Sequence, residues 1–483
     1  MWGEREMARI TVIGAGLNGL ATALLLARDG HSVTVLERDA GQPEGDADGQ
    51  WQNWERPGVS QFRLPHIMQA LWRQLMEREL PEVIDELVRL GGVRMGPLDM
   101  MPPAVTGGSR PGDEDLRMML ARRPVVEGAL ATVAARTPGV TIRRGAKAEA
   151  LVAAADASGV PHVNGVVIDG GETVPADLVV DAMGRNTTID RMLAGIGAQR
   201  PEEQSEDLGF VYYCRHFRNE SPRPAPSAIL FYEGMSLLWV PADENTFGLA
   251  FVAASNDREL RALRDVQAWD RAAALIPDLV PLLAMSTPLT DVQVMSGGPD
   301  RHRSFVVDGE PVATGVVAVG DSVVRTNPSL GRGSSIGMAQ ACVLRDVLRE
   351  VGPDRPAELA RRFDEVIDAV VGKMYRLTLD QDQNRMAEIQ ADIAGTPYPP
   401  ASEAWALQRR VRQIMMQEPD VLRFFMRSAL QIEALDVTAI PPALRARIEA
   451  EKADGPSYPP AGPTRAQLLA AVAGADQPAE SVA

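Results

Sequence analysis

The sequence predicts an α/β fold: a parallel sheet at the N-terminus, an inserted antiparallel sheet, and a helical C-terminal region. Three observations predict it. Residues 8–13, 17–29 and 32–36 read as strand, helix and strand, and such a crossover builds a parallel sheet. Residues 208–253 hold four short β-rich runs (210–218, 228–232, 236–240 and 247–252) separated by brief polar turns, which is the pattern of an antiparallel sheet. Beyond about residue 356 the pattern is mostly helical, with Pro-rich breaks near 397–400 and 455–463.

The remaining elements follow in order. Residues 40–49 are polar and Gly-rich and read as a surface loop, 66–92 as helical, and 95–114, rich in Pro and Gly, as irregular. A helix is expected over 123–137, a strand over 140–143, a small hairpin from 163–167 and 172–174, and a buried strand over 178–181. Residues 258–275 read as helical, 316–319 as a buried strand, and a helix starts near Gly333. The last dozen residues read as disordered.

Composition limits the function. The 483 residues suggest two or three domains. A formal net charge of -16 disfavours nucleic acid and anionic membrane surfaces, because both need a basic face. Two cysteines, Cys214 and Cys342, build neither a disulfide framework nor a cysteine zinc site, and no metal site is expected. The apolar stretch 10–27 imitates an export or membrane segment. Its glycines, the acidic Glu4 and Glu6 before it, and the lack of a small-residue cleavage site argue against both, so a cytoplasmic protein without an integral membrane segment is expected.

Gly14-Ala15-Gly16-Leu17-Asn18-Gly19 is a G-x-G-x-x-G string placed directly after a strand and opening a helix. Gly14 permits the tight turn, Gly16 lets a pyrophosphate approach the backbone, and Gly19 lets helix and strand pack closely. The phosphates then meet free N–H groups at the positive end of the helix. Glu37 ends the second strand, where an acid accepts from ribose hydroxyls; this favours FAD or NAD over NADP. A second segment, residues 315–337, delivers Gly320-Asp321 at a strand end and continues into Asn327-Pro328, Gly331 and Gly333 at a helix start. A helix N-terminus there would stabilise an anionic reduced flavin ring.

With these two motifs in this order, the sequence resembles the FAD-dependent monooxygenases of the p-hydroxybenzoate hydroxylase superfamily, nearest to bacterial polyketide epoxidase- and hydroxylase-like members. The resemblance covers residues 8–350 and implies a Rossmann-type, glutathione-reductase-like FAD domain. In that family the aspartate matching Asp321 binds the ribityl chain, and the helix after it faces the isoalloxazine. Asp177-Leu178-Val179-Val180-Asp181-Ala182-Met183-Gly184-Arg185 resembles the third signature, with Met183 where self-reducing hydroxylases carry Asp. That departure puts direct reduction by bound NADPH in doubt, and a separate flavin reductase becomes an alternative electron source. Residues 56–66, RPGVSQFRLPH, resemble the G-V-P-Q-x-R-x-x-H segment that lies near the flavin, with Ser60 replacing proline. The resemblance makes Arg63 and His66 candidate catalytic residues. Arg123, followed by Pro124 and Glu127, resembles the R-x-x-L-E segment whose arginine contacts FAD.

The candidate cofactor-binding residues are therefore Gly14, Gly16, Leu17, Asn18, Gly19, Glu37, Arg38, Arg123, Asp321, Pro328, Gly331, Gly333 and Ser334. The expected division is a discontinuous FAD-binding domain (7–80, 105–190, 290–350), a substrate-binding domain (81–104, 191–289), a helical region (351–470) and a disordered tail (471–483). The implied reaction is hydroxylation or epoxidation of a hydrophobic small molecule by O2 through a flavin peroxide, with NAD(P)H supplying electrons directly or through a reductase. Phe231, Tyr232 and Trp239 are candidate lining of the substrate face, though at strand alternation such residues are more often core. Three alternatives stand beside it. A double-bond reductase of the geranylgeranyl-reductase type would share every FAD motif. A halogenase would carry an early lysine and a W-x-W-x-I-P motif, but the first lysine is Lys147 and the Trp motif is absent. A non-enzymatic flavin-binding module would not need so long a chain.

Overall fold

The computed structural model describes all residues except 1–6, 156–158, 221–226, 434–439, 457, 460 and 475–483. Five parallel strands form the first layer, in the order Val316–Ala318, Leu178–Asp181, Arg9–Ile13, Ser32–Glu37 and Val140–Arg144. The three inner strands are almost wholly buried, as apolar runs flanked on both faces must be. Helices Leu17–Arg28, Arg123–Arg136 and Gly333–Val351 cover one face, together with Val83, Ile84, Leu87 and Leu90. Residues 81–90 thus share the core of the parallel layer, although the sequence division groups them with the substrate domain.

The other face of the sheet carries a three-stranded antiparallel sheet, Ala148–Ala155, Pro161–Ile168 and Thr173–Pro175. The sequence suggests only the last two as a hairpin. The first strand is mostly alanine, which gives little β signal.

The large antiparallel sheet runs Ala228–Tyr232, Met235–Pro241, Thr246–Ala254, Phe210–Asn219 and Ser286–Pro288. Gln293–Ser296 also pairs with Phe210–Asn219, so this strand joins the antiparallel layer rather than the parallel one. Alternation splits its side chains: Leu237, Trp239 and Tyr232 pack toward helices Val266–Ala273 and Arg465–Ala473, while Tyr212, Cys214 and Leu238 pack toward Leu64 and helix Lys373–Ala394.

Other departures are local. Asp46 caps helix Ala47–Asn53 by accepting from Gly49 N at 2.8 Å, inside a stretch that reads as loop. The 66–92 stretch is two helices, Ala70–Glu79 and Pro81–Arg89, broken where Pro81 cannot continue the first. Residues 95–114 contain turns of helix too short to show a period, Pro97–Met100, Pro103–Thr106 and the 3-10 turn Asp113–Leu116. A 3-10 turn, Leu260–Arg264, precedes Val266–Ala273 in the 258–275 stretch. Residues 471–474, expected as tail, close helix Arg465–Ala473 at Gly474; the rest of the tail lies outside the described residues. Among the described residues no helix is long and apolar enough to cross a membrane.

Candidate functional site

A cavity of about 900 Å³ runs from the first Gly-rich turn, under the antiparallel sheet, to the C-terminal helices. The Gly-rich turn forms its floor. Gly14 has φ +109°, and a Cβ there would stand 2.6 Å from Ala182 O. A Cβ on Gly19 would reach 2.0 Å from Gly14 O, so strand and helix touch where the side chain is missing. Gly16 is the N-cap of the 12-residue helix Leu17–Arg28, and a Cβ on it would meet nothing within 4 Å. No side chain caps this helix start, so its first N–H groups face the cavity with a partial positive charge.

Leu17, Asn18, Glu37, Arg38, Arg123, Asp321, Pro328, Gly331, Gly333 and Ser334 all line the cavity. Arg38 donates to Gly58 O at 2.6 Å. Among the described residues nothing donates a hydrogen bond to the Asp321 carboxylate. Burial raises its pKa, against the pull of Arg325, Arg123, Arg185 and Arg301. A carboxylate surrounded by guanidiniums, with free lone pairs on a cavity wall, suits a polyol. Gly331 has φ +63°, and its loop sits on Ile67 and Gln69, whose Nε2 donates to Leu330 O at 2.6 Å. Together, the bare helix start, the glycine cradle and the unpaired Asp321 fit FAD.

Glu37 is more committed than the sequence suggests. It accepts from Ala15 N at 2.9 Å and Asp39 N at 3.0 Å, and pairs with Arg56. Arg56 also pairs with Glu127 and donates to Ala15 O at 3.0 Å. Glu127 accepts from Arg123 Nε at 2.7 Å, and Arg123 Nη1 lies 3.1 Å from His66 Nε2. A buried relay, Glu37–Arg56–Glu127–Arg123–His66, thus links the dinucleotide turn to the chamber. Glu127 is fully buried, which alone would raise its pKa, but Arg56 and Arg123 hold it below the ordinary value.

The two candidate catalytic residues, Arg63 and His66, are placed differently. Arg63 is not among the residues lining the cavity. Its Nε donates to Trp51 O at 2.7 Å and its Nη2 to Trp54 O at 3.0 Å, so it closes the C-terminal end of helix Ala47–Asn53. His66 does line the cavity, but both ring nitrogens are engaged. Nδ1 sits 2.8 Å from Leu64 O and must carry the proton. Arg123 only donates, so Nε2 accepts. Burial and then the Arg123 charge push the imidazole down to about 3, so it stays neutral. Its Nε2 thus faces the Arg123 guanidinium on the cavity wall.

Arg56 is a hub of the site that its sequence segment does not mark. Its partners Glu37 and Glu127 come from other elements, and no local pattern marks them. Of the three candidate aromatics, Trp239 lines the cavity, while Tyr232 packs in the core toward Val266–Ala273 and Phe231 stands against the C-terminal helices.

Residues 9–100 match the family described as FAD dependent oxidoreductase. The chain is 26% identical over 380 residues to Protein Rv3254 of Mycobacterium tuberculosis, covering 73% of this chain and 75% of that protein. It is also 26% identical over 378 residues to the kynurenine 3-monooxygenase of Salinispora tropica, covering 74% and 76%. The crystal structure of PqsL, a probable FAD-dependent monooxygenase from Pseudomonas aeruginosa, superposes with a TM-score of 0.58 at 16% identity, over 81% of this chain and 99% of that one. Motifs, cavity and comparisons agree on the N-terminal part and the fold: residues 9–100 match an FAD dependent oxidoreductase family, and the chain has the fold seen in the FAD-dependent monooxygenase PqsL.

Proposed function

We propose that this protein is a monooxygenase that inserts one oxygen atom from O2 into a hydrophobic small molecule. The observation that carries this reading is a single cavity joining a dinucleotide cradle to an apolar chamber. Bound FAD would supply the electrons and the site of O2 activation. The protein's own residues bind, orient and exclude water. Gly14 and Gly16 would admit the pyrophosphate, and the N–H groups of Leu17 and Asn18 at the uncapped helix start would donate to it. Glu37 would accept from a ribose hydroxyl through its one remaining acceptor site, and Asp321 from the ribityl chain. Arg123, Arg185 and Arg325 make the wall beside Asp321 positive, which favours a ring that gains negative charge on reduction. His66 positions Arg123. The apolar chamber walls, among them Leu238, Val240 and Met118, keep water from the reacting centre.

Electrons come from NAD(P)H, in a cytoplasmic setting. Met183 stands in the cavity wall where an aspartate would serve direct reduction, which favours delivery by a separate flavin reductase. Named relatives that are monooxygenases favour oxygen insertion over double-bond reduction. The test is anaerobic reduction of the purified flavoprotein by NADH or NADPH, with and without a flavin reductase, followed by labelled O2 and a panel of aromatic and polycyclic substrates. Reduction accelerated by the reductase and heavy oxygen in a product are expected. A protein that can neither be isolated with FAD nor reconstituted with it would overturn the reading, as would O2 uptake that never labels a product.

A further inference from the structure

The C-terminal wall of the chamber holds an arginine that has no ion-pair partner among the described residues. Arg412, near the end of helix Glu403–Ile414, lines the cavity with Gln408, one turn earlier, and Met415. Its Nε is buried and has no hydrogen-bond partner among the described residues, and no carboxylate there forms an ion pair with it. Three aromatic rings surround it instead: Phe231, Phe425 and Trp405, at 4.2, 5.3 and 5.9 Å from its guanidinium carbon. Rings attract a cation but accept none of its five N–H bonds.

The neighbouring arginines are satisfied differently. Arg385 pairs with Glu388 at 3.0 Å and Arg409 with the same carboxylate at 2.6 Å. Trp405 Nε1 also donates to Glu388 at 2.6 Å, so this acid is already shared by two guanidiniums and an indole and makes no ion pair with Arg412. Burial lowers the Arg412 pKa to about 10, and the guanidinium is still charged at neutral pH. A desolvated cation with open donors beside a ligand cavity is costly unless an anion completes it. Gln381, on the adjoining helix and also in the lining, has a buried Oε1 without a partner among the described residues, so this wall presents polar groups of its own beside the apolar Leu238 and Val240.

We propose that Arg412 is a specificity-determining residue that holds an anionic oxygen group, a carboxylate, at the far end of an otherwise apolar substrate. This rests on the reading of the cavity as a substrate chamber. It narrows the substrate class to hydrophobic acids. The phosphates of a dinucleotide are met at the Gly14–Gly16 turn, on different elements, so Arg412 is free for the substrate.

The test uses the full-length, FAD-loaded protein and three acid–amide pairs: benzoate and benzamide, 2-naphthoate and 2-naphthamide, decanoate and decanamide. Binding is read from perturbation of the flavin absorbance and from tryptophan fluorescence, since Trp405 adjoins Arg412. At least one acid is expected to bind about tenfold more tightly than its amide, as charge-assisted pairing implies. Arg412→Gln should abolish that preference while FAD content and amide binding persist, and Arg412→Lys should keep part of it. The proposal fails if no acid binds more tightly than its amide in the unsubstituted protein, or if Arg412→Gln keeps the preference. These readings need no turnover. A protein that selects acids but labels no product would remove the monooxygenase reading and leave this one standing.

Discussion

The two ends of the cavity are built on opposite rules. Around the dinucleotide turn the charged side chains of the relay are paired with one another: Glu37 accepts from two backbone amides and Arg56, and Glu127 lies between Arg56 and Arg123. At the C-terminal wall the polar groups are open: Arg412 Nε and Gln381 Oε1 are buried without partners. The first end is a rigid fitting for one unvarying molecule. On the proposed reading, the second completes its charge balance with the substrate's carboxylate.

The largest effect is expected where the fitting allows no atom to move. Gly14→Ala would force a side chain into φ +109° and against Ala182 O, so the purified variant should retain at most about a tenth of the normal FAD. Normal yellow protein after dialysis would break the contrast between a rigid and an adaptable end. Next comes the relay. Glu127→Gln leaves Arg56 and Arg123 buried with one carboxylate fewer, and a urea melt should show a loss of about 3–5 kcal/mol. A loss below about 1 kcal/mol would mean that the relay is loosely hydrated and not a structural unit.

A smaller, pH-dependent effect should come from the ground between the two ends. Asp382 accepts from Ser329 Oγ at 2.7 Å and Asn327 Nδ2 at 3.2 Å, behind the loop of the second motif. Burial, then the Asp300 charge, raises its pKa from 3.8 to about 7. The folded state therefore binds a proton that the unfolded chain releases. This contribution is complete below about pH 4 and is lost as pH rises through about 7. Asp382→Asn removes the titration, so the variant should gain a few degrees of Tm over the parent at pH 8 and little at pH 4. Equal differences at the two pH values would show that Asp382 is ionised throughout.

What the sequence disclosed follows the same division. A glycine requirement is local: Gly14, Gly16 and Gly19 act within one turn, so spacing alone marks the cradle. The Phe210–Asn219 and Thr246–Ala254 strands were legible because β-branched and aromatic residues crowd them. Strand Ala148–Ala155 was not, since alanine prefers no pleated surface. Arg63 and His66 sit in a motif-like segment, yet what each does depends on which carbonyl or guanidinium faces it, and those partners come from folding. Arg412 is one of several arginines on its helix, and only the rings of distant elements single it out.

The relay has one more consequence. Its two carboxylates and two guanidiniums sum to zero charge, and the imidazole at its end is neutral. An empty site of this kind needs no counter-ion from solution and no proton uptake to keep its shape. Loss and recapture of the dinucleotide should therefore proceed without net proton exchange from this cluster, and the protein can stand ready as an empty socket through dilution and pH drift.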